Sequence, residues 1–226
     1  MRSRTLLIMA AVSVVALGGT VTLFNDRDDP PQQGALPAAA VDHRLQSAPA
    51  TELAGVSWRD FHGVQLPYSA TDGPRTIDHD RVWGFTQTPL GALLAAVHLT
   101  VRSDPRWGQR VAEPTITQQF VGPDVAGLMA SVNGYRPRAG SEAQRAYVVL
   151  EGFRWQGFTP DVASLDLVSA GPGDSDRTVR AATRVQLQWR NGDWRVVAPL
   201  AGTWTSAAAP VDSLDGYTRF PAGGRP

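Results

Sequence analysis

Across its 226 residues the chain contains no cysteine and no lysine. Without cysteine there can be no disulfide, no thiolate nucleophile, no zinc–cysteine site and no lipid on an N-terminal cysteine. Without lysine there is no Schiff base and no Walker-type phosphate lysine, which excludes pyridoxal-phosphate enzymes and P-loop NTPases. A charge imbalance is missing too, since 21 basic residues, all of them Arg, meet 21 acidic ones. No broad field draws the chain to nucleic acid, and no nucleic-acid partner is expected. What is present in quantity is apolar: 42% of residues are hydrophobic, in a length that suits one domain with appendages.

Leu6 to Phe24 (LLIMAAVSVVALGGTVTLF) is free of charge. As a helix rising about 1.5 Å per residue, it would span the roughly 30 Å hydrocarbon core of a bilayer. Arg2 and Arg4 precede it, and Asp26, Asp28 and Asp29 follow. That asymmetry predicts a cytoplasmic stub at 1–5, a single transmembrane helix at 6–24 and an extracytoplasmic remainder. The competing reading is a cleaved signal peptide, with Leu6 to Leu17 as its apolar core and Ala16-Leu17-Gly18 as a loose processing site. Residues 25–51, rich in Pro, Gln, Ala and Asp and without apolar period, read as a disordered spacer. The domain then occupies 52–220, and 221–226 is a disordered tail.

Within the domain, the stretch to Thr88 is broken by Gly63, Pro67, Gly73 and Pro74 and predicts an extended lead-in with one short strand at most. Thr88 is suited to cap a helix opened by Pro89, and Leu90, Leu93, Leu94, Val97 and Val101 follow at helical spacing. Ala92, Ala95, Ala96 and Leu99 make that helix apolar nearly all round, so it belongs in a core. A short helix from Asp104-Pro105 is expected to stop at Pro114, and a further one runs from Gly122-Pro123 to Asn133-Gly134. After Ser141 the period changes to two. Strands are predicted over Ala146–Phe158, around Ala163–Leu167, over Val179–Arg190 and over Asp193–Leu200, with Asn191-Gly192 as a hairpin turn. Helices first and antiparallel strands after predict an α+β fold, with helices packed on a four-stranded antiparallel sheet.

Chemistry-bearing residues are sparse. Asp78-His79-Asp80, with His62 and His98 elsewhere, is the most metal-like group, but three adjacent residues do not converge easily on one ion, and no metal or other cofactor is expected. No catalytic residue is assigned in the leading reading. The alternative pairs His98, on the buried helix, with Glu151, on the inward pattern of its strand, as acid and base of a cavity enzyme. Against it, a bulge at Gly152 would turn Glu151 outward, or an arginine would pair it. Arg180, Arg184 and Arg190 form an outward row, readable as a partner patch or as the wet side of the sheet. Trp155, Trp189 and Trp194 fall on inward faces, as core before ligand stackers. Val211, Leu214, Tyr217 and Phe220 are placed to fold back on the domain or to meet a partner.

The anchor, spacer and domain, with the hairpin Val185-Gln186-Leu187-Gln188-Trp189-Arg190-Asn191-Gly192-Asp193-Trp194-Arg195-Val196, together resemble bitopic proteins carrying a nuclear transport factor 2-like (cystatin-like) extracytoplasmic domain. Assembly factors of type IV secretion and conjugation machines share that layout. The segment from Leu66-Pro67 through Gly73-Pro74, then Gly84-Phe85 and Thr88-Pro89-Leu90-Gly91-Ala92, resembles actinobacterial proteins encoded among conjugation-type genes. The resemblance implies a cystatin-like roll and a membrane-anchored scaffold subunit, whose partners are other envelope proteins or further copies of itself. The alternative it leaves open is a small-ligand binder or cavity enzyme of the same fold.

Overall fold

The computed structural model describes residues 12–16, 19–23, 49–136, 149–172 and 178–221. The expected cytoplasmic stub lies outside them, as does the spacer up to residue 48 and the tail from residue 222.

Two antiparallel pairs open the domain: β3 (Val56–Phe61) with β4 (Val64–Ser69), and β5 (Thr76–Asp78) with β6 (Arg81–Trp83). The sequence reading allowed one short strand here. The turn residues that seemed to break the stretch instead reverse it, with His62 and Gly63 both at positive φ between β3 and β4. The loop after β4 then builds the start of α1 (Pro89–Arg102). Asp72 accepts the hydroxyls of Thr86 and Thr88 at 2.7 and 2.6 Å, and Thr88 Oγ1 in turn accepts the Gly91 N–H at 3.0 Å as the helix N-cap. Burial works to raise the Asp72 pKa, but hydroxyls from Thr71, Thr88, Thr86 and Ser69 outweigh it and hold the group below its ordinary value.

From Gly91 to Arg102 every residue of α1 is buried, so it runs through the middle of the core. Its C-terminal end is closed by Trp107, whose indole N–H donates to the Val101 carbonyl at 2.7 Å. A 3-10 turn at Pro105–Trp107 leads into α2 (Gln109–Gln119), which carries Pro114 inside it and does not stop there as expected. Its end passes directly into β7 (Phe120–Val121), and α3 (Val125–Gly134) follows, burying Leu128 and Val132.

The long strands β8 (Val149–Phe158), β9 (Val162–Pro172) and β10 (Thr178–Arg190) come next, then β11 (Asp193–Val197). Two short strands, β12 (Ala208–Pro210) and β13 (Thr218–Arg219), complete the set. These join into one seven-stranded sheet in the order β13-β8-β9-β10-β11-β7, with β12 on β10. Phe153, Trp155, Leu165, Leu167, Val185, Leu187, Trp194 and Val196 from its inner face share one core with α1. On the outer face Leu214 returns from the C-terminal segment to cover Val168 and Ala182.

The expected fold class is therefore corrected. The chain is mostly β, and the four predicted strands do not form a self-contained antiparallel sheet under helices. β11 pairs in parallel with β7, whose two residues follow a helix, and β12 and β13 come from the C-terminal segment. The transmembrane helix is corrected as well. Val12–Ala16 forms β1, paired antiparallel with Gly19–Leu23 as β2, and no helix among the described residues is long and apolar enough to cross a membrane. Valine and threonine dominate both segments, and β-branching favours extended backbone as much as it serves hydropathy.

Gly91 sets the approach of α1 to the preceding loop, because a methyl group there would collide with the Thr86 backbone carbonyl. Gly91→Ala is expected to lower the unfolding free energy by about 2 kcal/mol despite the better helix propensity of alanine. Urea titration followed by circular dichroism measures it, and an unchanged midpoint would refute the close approach.

Candidate functional site

The paired acid and base of the alternative reading do not come together. His98 is fully buried on α1, where its Nε2 meets the Pro67 carbonyl at 2.6 Å and its Nδ1 meets an Arg102 guanidinium nitrogen at 2.7 Å. A carbonyl only accepts and a guanidinium only donates, so the ring carries its proton on Nε2 and is neutral. Burial and the Arg102 charge hold its pKa well below the ordinary value, against the opposing pull of the Pro67 carbonyl. Arg102 is itself 1% exposed. Its Nε donates to the Asp80 carbonyl at 2.7 Å and its guanidinium lies 4.1 Å over the Phe61 ring, a cation bound by dipoles and a π face. Burial lowers its pKa, with Tyr68 and Asp80 opposing.

Glu151 belongs to the other face of the sheet. A register shift between Leu150 and Gly152 puts Leu150 and Phe153 inward, and Glu151 receives Arg180 Nε at 2.6 Å. Both the bulge and the arginine partner weighed against the acid–base pair are thus present. The row of outward arginines is largely spoken for: Arg184 and Arg154 converge on the buried carboxylate of Asp166 at 2.6 and 3.0 Å, across adjacent strands. Arg190 donates to Gln188 at 2.8 Å. In the Asp78-His79-Asp80 group, His79 turns to Asp78 while Asp80 faces Arg110 at 3.1 Å. No cluster able to hold a metal ion occurs among the described residues.

A different set of side chains does converge. Alternation along β6 sends Val82 into the core and leaves Arg81 and Trp83 on the opposite side, the guanidinium 4.7 Å over the indole. Alternation along β11 does the same with Trp194 and Val196 inward, and Asp193 and Arg195 away. The parallel register of Val196 with Phe120 then sets Arg195 beside the end of α2. Arg81, Trp83, Asp193 and Arg195 line a cavity of about 280 Å³ together with Gly84, Gln118, Gln119, Asn191 and Gly192.

The polar atoms in that cavity are unevenly satisfied. Asp193 Oδ1 accepts the N–H groups of Phe85 and Trp194 at 3.1 and 2.9 Å, and Oδ2 accepts that of Gly84 at 3.0 Å. Arg195 stands 3.8 Å from the same carboxylate. Gln119 is 2% exposed and its Nε2 donates to the Val82 carbonyl at 2.7 Å, which leaves Oε1 without a partner. Arg81 Nε is likewise buried and unpartnered. Both atoms are sealed beneath the cavity wall, and a buried polar atom left unmet costs about 1–3 kcal/mol.

Sequence reading missed this site. Asn191-Gly192 was legible only as a turn, Arg81 lay in a stretch read as a lead-in, and Gln119 in a stretch with no assigned structure. No spacing links the three segments, because Gln119 meets β11 through the parallel pairing of β7 and meets β6 through its bond to the Val82 carbonyl.

A family model described as a domain of unknown function (DUF8175) matches residues 25–219. No curated protein and no solved structure matches the chain.

A neutral buried His98 fixes the direction of one pH effect. Above its ordinary pKa of 6.5 both folded and unfolded chains hold it neutral; below, only the unfolded chain takes the proton. Its contribution is complete above that value and is lost as the pH falls, by at most about 1.4 kcal/mol for each unit separating the two pKa values. Thermal melts of the wild type and His98→Gln at pH 7.5 and 5.5 are expected to show the larger acid loss in the wild type. Equal losses would mean His98 is not held neutral.

Proposed function

The chain belongs to the DUF8175 family over residues 25–219, and from its own surfaces we propose that it is a protein-interaction subunit, not an enzyme. The observation that carries this is the chemistry of the cavity between β6, α2 and β11. Arginines, glutamines, an asparagine and a tryptophan recognise and orient; they are weak nucleophiles and weak bases at neutral pH. The lone carboxylate among the lining residues, Asp193, is bound to three backbone N–H groups and is not free to move a proton.

Photo-crosslinking tests the reading in cells. A benzophenone side chain at Gln118 or Asn191, both exposed on the cavity rim, is expected to give discrete adducts with another protein, while one at Gln186, on the outer face of β10, gives none. Only unmodified monomer from the rim positions would sink the proposal.

The setting we propose is the outer side of a membrane, in an envelope assembly of the secretion or conjugation type. Supporting it is the composition of residues 2–17, two arginines and then a charge-free apolar stretch, which is that of an export signal. The resemblance of the Leu66–Pro74 and Thr88–Ala92 segments to conjugation-associated proteins points the same way. A C-terminal fusion to alkaline phosphatase is expected to be active and a fusion to a cytoplasm-dependent fluorescent protein dark; the reverse pattern would refute export.

A further inference from the structure

The inner face of the sheet is longer than the helix that covers it. β9 and β10 run for 11 and 13 residues, and alternation along β10 sends Leu187, Val185, Thr183 and Ala181 to the inner side. Leu187 and Val185 belong to the core around α1, whereas Ala181 stands outside it in a separate cluster with Val179 and Ala208. Ala181 lies in register with Ser169 of β9, and each is 1% exposed. This pair is shut off from water at an end of the sheet that the main core does not reach.

The cover comes from the other end of the chain. Among the described elements outside the sheet, α1 and β1 are the two that lie broadly against both β9 and β10. β2 lies against the 3-10 turn Trp204–Ala207, and Trp204 of that turn donates its indole N–H to Ser103 Oγ, at the end of α1, at 3.1 Å. The hairpin β1–β2 therefore sits on the inner side, next after α1 along the sheet. Its strands Val12–Ala16 and Gly19–Leu23 carry no charge and suit a shelf made by Val179, Ala181 and Ala208. Apolar cover does nothing for a hydroxyl: Ser169 Oγ is left without a partner, at a cost of about 1–3 kcal/mol that water relieves when the shelf opens.

We propose that the N-terminal hairpin is a cover the chain holds over its own docking shelf: β1–β2 occupies the face formed by Ser169, Val179, Ala181 and Ala208 in the uncut chain, and the shelf opens when the N-terminal segment is cut away during export. The release rests on the export reading; the closed state does not. The same apolar residues thus serve first as an address and then as a plug on the folded domain, and the processed protein presents a contact surface that its precursor withholds.

The absence of cysteine makes the closed state directly readable. In the full-length, uncut chain, Ala181→Cys is expected to react with maleimide about tenfold or more slowly than Gln186→Cys on the exposed outer face. Val14→Asp together with Val15→Asp is expected to remove that protection, since neighbours on a strand face opposite ways and one of the two carboxylates must meet the shelf. Val185→Cys, in the core beneath α1, stays protected throughout and reports that the domain is folded. Rapid alkylation of Ala181→Cys behind the unaltered hairpin overturns the cover, and so does protection that survives both aspartates. If the aspartates unfold the chain, oxidation of Ala181→Cys combined in turn with Ser13→Cys, Val14→Cys and Val15→Cys decides: at least one pair is expected to form a disulfide, and failure of all three overturns the proposal. An active phosphatase fusion with a freely reactive Ala181→Cys would refute the cover alone; an inactive fusion with a protected Ala181→Cys would refute the export reading and, with it, the release.

Discussion

A carboxylate 5% exposed must be met by donors, and Asp193 finds them in the N–H groups of Gly84, Phe85 and its own neighbour Trp194. That requirement ties the turn between β10 and β11 to the loop that opens α1, more than a hundred residues earlier. Trp194 adds a second tie, its indole N–H donating to the Thr86 carbonyl at 2.8 Å. Thr86 is also where Asp72 and the α1 N-cap meet, so one buried charge aligns the central helix, the sheet and the floor of the cavity. The position of Arg195 follows from that alignment, being two residues along the same strand face as Asp193.

The other end of α1 is held by a buried cation. Arg102 binds the Asp80 carbonyl and the His98 ring, and His98 binds Pro67, which links α1 to both opening hairpins. In a low-dielectric interior such a chain of donors and acceptors is stable only when each member is filled, and here the histidine must stay neutral to accept from the arginine. A residue that reads in the sequence as an acid–base candidate is thereby a structural acceptor.

How much was legible follows from where the information lay. The core helix was readable because Thr88-Pro89 and an apolar surface all round are local signals. The β10–β11 hairpin was readable because strict alternation ends at Asn191-Gly192. The opening hairpins were not, because Gly63 and Gly73 mark reversals as readily as breaks. Nor was the growth of the sheet beyond four strands: β7, β12 and β13 are two or three residues each, too short to show a period. The apolar run at the N-terminus carried two compatible signals, hydropathy and β-branching, and length arithmetic weighs only the first. The cavity depended on a parallel register that sets Arg195 beside Gln119 and on hydrogen bonds that bring β6 to both, non-local facts with no trace in spacing.

The return of the C-terminal segment has a bearing on how the chain becomes a folded object at all. Phe220 packs against Phe153 and against Trp58 near the start of the domain, and the strand before it extends the sheet along β8. The two ends of the Trp58–Phe220 contact are more than a hundred and sixty residues apart, so it forms only when both have been synthesised. Contacts this distant in sequence raise the loop-closure entropy of folding, so Trp58 and Phe153 gain this ring cover only after most of the chain has been placed.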